Sequence, residues 1–303
     1  MKKIGLHMYI VLGIFIIGFI LGSFLDLQLS TAIFSEKNGF GLFLSTIGTM
    51  PGYGCLAVIG GGLFAVGLTK REWRLPYMII LMLLGIGATI TSIYFSGREF
   101  FGENGFYGVA PEWVGYFIAL PFMLGLFYLG YGMARKSDNN RLWLLLIVMA
   151  VAIFIALVPG VTALKSIFHR PRFRTAVYYG YSDFHNWWQP CKNYKEIIAT
   201  SELTKEEFKS FPSGHAGASA VFMLSVIFLP LVNIKYEKIQ LPLFYGGLAW
   251  TLLIAWSRIF VGAHFLSDVS MGGILTMVCA LVAYYVVMRD KIGLPKEEEI
   301  PAE

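Results

Sequence analysis

One feature limits what this chain can fold into more than any other. Apolar stretches of roughly 20 residues recur along it, each closed by charged or polar residues. A helix of about 20 apolar residues is the length that crosses a hydrocarbon core of about 30 Å. The runs fall at about 8–25, 52–69, 76–96, 114–134, 142–164, 214–233, 241–256 and 266–288. Charged residues make up only 14% of the 303, against about 25% in soluble proteins. The expected fold class is therefore an all-α, polytopic integral membrane helix bundle of about eight transmembrane helices. Met1-Lys2-Lys3 ahead of the first run has the form of a secretory leader. No small-residue cleavage site follows it, so a retained helix is expected.

The charge between the runs gives an orientation. Lys70/Arg71/Arg74, Arg135/Lys136/Arg141 and Lys235/Lys238 alternate with loops 26–51, 97–113 and 259–265, which hold only Lys37 and Arg98. Cytoplasmic loops are the basic ones, so both termini are expected in the cytoplasm. Loop 165–212 departs from this rule, with eight basic residues on the opposite side; long loops follow the rule poorly. The net charge of +5 thus sets topology rather than marking a nucleic-acid surface. Cys55, Cys191 and Cys279 are far apart and show neither a pairing pattern nor metal-ligand spacing. The sequence divides into four N-terminal helices (1–141), a core (142–288) and a tail (289–303). The tail, with Lys296-Glu297-Glu298-Glu299, is expected to be solvated and disordered.

Within loop 165–212, Thr204 and Glu207 have the spacing of a capping box, which predicts a short surface helix running to Phe211. Pro212 would then open the next transmembrane helix. Tyr178, Tyr179, Tyr181, Trp187 and Trp188 suit an interfacial aromatic belt, or alternatively a wall beside a site.

The chemistry sits at one set of helix ends. Lys165 closes the fifth run, and Ser213, Gly214 and His215 open the sixth. Arg258 closes the seventh, and His264 and Asp268 open the eighth. Antiparallel packing brings these ends together on the face opposite the termini. Lys165, Arg170, Arg172, Arg174 and Arg258 offer cations for a phosphate, and the start of the sixth helix offers free backbone N–H groups. His264 and Asp268, four apart, share a face if both lie on a helix and can then hydrogen-bond. A carboxylate holding one imidazole nitrogen leaves the other as a base or nucleophile. His215 supplies a second imidazole for acid work. Taken singly these features are ordinary, since basic residues at helix ends mostly reach for the interface. Their coincidence on one face is what carries weight. His7 and His185 read as surface groups, whereas His169 adjoins the basic cluster.

These residues resemble a known family. Ser257-Arg258, five residues, His264, three residues and Asp268 matches the third signature of the type 2 phosphatidic acid phosphatases. That membrane family shares a superfamily with bacterial acid phosphatases and vanadium haloperoxidases. Pro212-Ser213-Gly214-His215 matches the second signature. Lys165, six residues and Arg172 matches the first, although Phe173 stands where a proline is expected and Arg170-Pro171 lies two residues early. The resemblance covers about 142–288 and implies a six-helix core, leaving two N-terminal helices as additions. It implies a lipid phosphatase acting on phosphatidic acid, phosphatidylglycerophosphate or undecaprenyl diphosphate. His264 would form a phosphohistidine, Asp268 would orient it and His215 would protonate the leaving oxygen. Lys165, Arg172, Ser213, Gly214 and Arg258 would hold the phosphoryl oxygens, with Arg170 as the alternative to Arg172. No cofactor and no metal is implied, because fixed cations take that role; the partners implied are the lipid phosphate and membrane lipids.

Phosphotransfer to an acceptor other than water fits the same motifs. A transporter is the rival from another class, but the apolar runs carry no Asp, Glu, Lys or Arg away from their ends, where transporters place them.

Overall fold

The computed structural model describes residues 2–70, 73–100 and 113–292. Arg71 and Glu72, most of the Gly- and aromatic-rich loop 97–113, and the acidic tail lie outside the described residues. The described chain is all-helical. Helix α1 spans Lys2–Ile33, α2 Gly39–Ile47, α3 Met50–Thr69, α4 Leu75–Arg98, α5 Trp113–Arg135 and α6 Leu142–Ile155. After α6 a π-helical stretch, Ala156–Thr162, leads into α7, Ala163–Phe168. Helix α8 is Tyr194–Thr200, α9 Gly214–Ile227, α10 Leu229–Val232, α11 Glu237–Phe260 and α12 Leu266–Arg289. Among the described residues, seven helical segments are long and apolar enough to cross a membrane, which makes this a multi-pass membrane protein.

Three elements differ from the sequence expectation. First, the stretch Asp26 to Pro51 is not a loop. Helix α1 continues to Ile33 with Asp26 and Ser30 buried, and α2 follows, its first turn capped by the Asn38 side chain, which accepts from the Gly41 amide at 2.7 Å. Second, the run 214–233 is broken at Phe228 into α9 and α10. The 14 residues of α9 span about 21 Å at 1.5 Å per residue, short of a hydrocarbon core. Most of them are buried against α3, α11 and α12, so their length need not match the lipid. Third, the capping box at Thr204 is replaced by a single 3-10 turn, Lys205–Phe208, because the Glu207 carboxylate is taken by Arg174 and Thr175.

Close helix contacts depend on small residues, as expected where lipid offers no hydrophobic drive for association. A Cβ on Gly61 would lie 1.8 Å from the Phe127 carbonyl oxygen, and one on Gly130 1.9 Å from that of Val58, which fixes α5 against α3. The π-helical stretch contains Pro159; a proline removes one backbone donor, and a widened turn absorbs the fault.

Candidate active site

The helix ends that carry the polar residues converge on one cavity of about 620 Å³. Its head is polar, lined by Lys165, Arg172, Lys205, Lys209, Gly214, His215, His264 and the Arg98–Glu99 pair. Its arm is apolar, lined by Leu56 of α3, Ala88 and Phe95 of α4, and Ile153, Phe154, Leu157 and Val158 from α6 and the π-helical stretch.

His264 is buried in the turn between α11 and α12. Its Nδ1 lies 2.7 Å from the Ser210 carbonyl oxygen. A carbonyl only accepts, so Nδ1 carries the hydrogen and Nε2 keeps its lone pair. Burial, together with the charges of Lys165 and Arg258, holds the imidazole well below its ordinary pKa despite Asp268, so it is neutral at neutral pH. The expected direct bond to Asp268 is corrected here. Asp268 Oδ2 is 3.7 Å from Nδ1, an ion-pair distance and too long for a hydrogen bond. The helical spacing argument fails because α12 starts only at Leu266, after His264. Asp268 instead acts on the framework. Its Oδ2 accepts from the Ser210 hydroxyl at 2.5 Å and from the Phe265 amide at 2.8 Å, so it fixes the residue whose carbonyl orients His264.

His215, one residue into α9, also lines the cavity. Its Nε2 is 3.0 Å from the Ser45 carbonyl oxygen and 3.2 Å from Glu99 Oε2. By the same rule Nε2 bears the hydrogen. Burial alone would raise the Glu99 carboxyl, but His215, Arg98 and Arg258 hold it below its ordinary value. Ser213 caps α9, accepting from the Ala216 amide, and its own amide donates to the Asp268 carbonyl oxygen at 2.9 Å. Gly214 leaves room beside Lys165, whose Nζ would lie 4.0 Å from a Cβ there.

The arginines separate by position. Arg172 lines the cavity beside Lys165, as the six-residue spacing expects. Arg170 is fully buried behind it, 2.6 Å from Asp268 and 2.9 Å from Asp26, with further bonds to Ser267 and the His185 carbonyl. The alternative role of Arg170 as a phosphate ligand is therefore corrected: its guanidinium is consumed by two carboxylates. Phe173, in the place of the expected proline, is buried against Phe34 and Phe265. Arg174 pairs with Glu207, and Arg258 is buried at the end of α11, its charge acting on His215 and His264.

Asp26, the Ser45 carbonyl, Glu99, Ser210 and Ser267 were not singled out from the sequence. Asp26 alone left a signal, as the one charged residue in an otherwise apolar stretch. Of the remaining histidines, His7 contacts Tyr245, His185 the Gln189 carbonyl, and His169 stacks on Tyr194. The aromatic loop does not line the cavity. It clamps α1, with Trp187 donating to Ser23 Oγ at 2.9 Å and packing between Phe19 and Phe211.

Comparison with curated proteins and with solved structures gives no match. A family model does match, that of the PAP2 superfamily, over residues 141–292, half of the chain. The matched segment contains every residue of the three signatures, from Lys165 to Asp268. The chain belongs to the PAP2 superfamily, a family of phosphatases, and is a multi-pass membrane member of it.

Proposed function

We propose that the protein is an integral-membrane lipid phosphatase that hydrolyses a lipid phosphate monoester or diphosphate through a phosphohistidine on His264. The observation that carries this is the pairing of two features in one cavity. A neutral imidazole has Nδ1 tied to the Ser210 carbonyl, and around it stands a cationic head that opens into an apolar arm. The head suits a phosphate and the arm suits an acyl or prenyl chain, so phosphatidic acid, phosphatidylglycerophosphate and undecaprenyl diphosphate are the candidate substrates.

In the proposed reaction His264 Nε2 forms a bond to phosphorus as the bond to the leaving oxygen breaks. His215 supplies the proton to that oxygen. Lys165, Arg172, Arg258, the Ser213 hydroxyl and the backbone at Gly214 hold the phosphoryl oxygens as charge builds on them. Water then cleaves the phosphohistidine. Fixed cations do the neutralising that a metal would otherwise do. The chain makes eight passes, α9 with α10 counting as the short one, with both termini in the cytoplasm and the cavity head on the outer side.

The test is orthophosphate release by purified protein in detergent with EDTA present, from the three candidate lipids in parallel. Release is expected from at least one of them and is expected to vanish in folded His264→Ala protein, with vanadate inhibiting the wild type. Residual activity in folded His264→Ala would end the phosphohistidine assignment. Release only when a second acceptor is added would reassign the reaction to phosphotransfer.

A further inference from the structure

We propose that Glu99, from the N-terminal half of the chain, is the positioning residue of the general acid: it keeps the His215 imidazole turned so that Nδ1, not Nε2, serves the leaving group, and it favours the charged form that gives up the proton. The proposal deepens the phosphatase reading and rests on it. The first observation is geometric. Nε2 of His215 is occupied on its outer side by two acceptors, the Ser45 carbonyl oxygen at 3.0 Å and Glu99 Oε2 at 3.2 Å. Nδ1 makes no hydrogen bond among the described residues, and His215 lines the cavity that holds His264. A hydrogen fixed on Nε2 leaves Nδ1 as the nitrogen whose proton comes and goes.

The second observation is electrostatic. His215 sits among cations. Arg258 acts on it from α11, and Lys165 stands beside the neighbouring Gly214. Burial and Arg258 draw the imidazole below its ordinary pKa, and Glu99 works against both, so its carboxylate is what keeps the charged form within reach. Glu99 is the one carboxylate within ion-pair distance of it among the described residues. Around Glu99 itself are Arg98, 4.0 Å away, Arg258, and the half-buried Tyr53 of α3. The two acceptors on Nε2 come from α2 and from the end of α4, both outside the segment that matches the family. The N-terminal helices are therefore part of the acid machinery.

The steps balance. As His264 Nε2 bonds to phosphorus and the phosphorus–oxygen bond breaks, the Nδ1 proton of His215 passes to the leaving oxygen. The imidazole left behind is neutral, with its Nε2 hydrogen still shared by Ser45 and Glu99. Water then attacks phosphorus, the nitrogen–phosphorus bond breaks, and the water proton returns to Nδ1.

The experiment compares two leaving groups. An alkoxide needs the acid, and a nitrophenolate leaves without it. Release of phosphate from phosphatidic acid and from p-nitrophenyl phosphate is measured for wild type, Glu99→Gln, Glu99→Asp and His264→Ala. The ratio of the two rates cancels any loss of folded protein. In Glu99→Gln the ratio of phosphatidic acid to p-nitrophenyl phosphate turnover is expected to fall about 10- to 100-fold, within the range general acids supply. The alkaline limb of its pH profile is expected to move to lower pH, because an imidazole without its anion gives up its proton sooner. Glu99→Asp is expected to restore part of both. A ratio unchanged within about threefold, or a limb that stays in place, overturns the proposal. Activity retained in His264→Ala, or no turnover of either compound by wild type, fells the phosphatase reading, and this inference with it.

Discussion

Each oxygen of the Asp268 carboxylate faces hydrogen-bond donors. Oδ1 receives Arg170, and Oδ2 receives the Ser210 hydroxyl and the Phe265 amide. In Asp268→Asn the amide NH2 must point at one of these donor sets, and Arg170 loses half of its countercharge. Breaking a buried ion pair by removing one partner costs about 3–5 kcal/mol; here Asp26 still holds Arg170, so a loss of about 3 kcal/mol is expected. Thermal unfolding in detergent checks this, and a midpoint equal to wild type would contradict it. Turnover is expected to fall less than in His264→Ala, because the carbonyl that orients His264 belongs to the backbone and survives. The four-residue spacing of His264 and Asp268 was legible in the sequence, but its meaning was not. Spacing gives a shared face only inside a helix, and where α12 begins depends on the cap that Asp268 itself makes.

Helix α1 reaches the site because Gly22 lets it. A Cβ on Gly22 would lie 2.4 Å from the Ser267 amide nitrogen and 2.8 Å from its Cα, backbone atoms that cannot step aside. This close approach lets Asp26, one turn on, accept from the Ser267 amide at 2.9 Å and from Arg170. Gly22→Ala is expected to push α1 from α12, cost about 1–3 kcal/mol and lower turnover through loss of the Asp26–Arg170 contact. Gly13→Ala, with nothing within 4 Å of its Cβ, is the control and should behave as wild type. Equal behaviour of the two variants would show that the α1–α12 contact is slack. At this scale the long helices were readable, because length and apolarity decide them together. The continuation of α1 to Ile33 was not. Its polar residues look like a loop until α12 is present to bury Asp26 and Ser30. The division at Phe228 was equally hidden, since only the packed bundle shows that α9 is an interior helix.

Across the whole molecule the charge is divided between two ends. At one end the loops are tied together: Arg141 donates to the Asp290 carbonyl at 2.9 Å, Asn139 to that of Leu231 at 2.9 Å, and Asn233 to that of Lys136 at 3.0 Å. Lys70, Arg74, Arg135, Lys136 and Lys235 gather at the helix ends on this side. Between the two ends, residues such as Ile17, Leu83, Phe117 and Val282 are exposed, the belt that lipid would cover. The other end carries the cavity head and loop 165–212. The alternation of basic loops was legible in the sequence, because it needs no packing to be seen. What it could not weigh was the eight basic residues of loop 165–212. The structure explains several of them by local partners: Arg170 with Asp26 and Asp268, Arg174 with Glu207, Lys209 with Glu206. A cation neutralised this way exerts little pull on topology, so the remaining asymmetry favours the tied end in the cytoplasm. Cysteine labelling on intact cells tests the orientation. Lys192 and Asn140 are exposed at opposite ends, whereas native Cys55 and Cys191 are buried, and Cys279 is removed as Cys279→Ser. A membrane-impermeant maleimide is expected to label Lys192→Cys directly and Asn140→Cys only after permeabilisation. The reverse pattern would put the cavity head in the cytoplasm, and the substrate would then have to be a lipid phosphate presented on the inner leaflet.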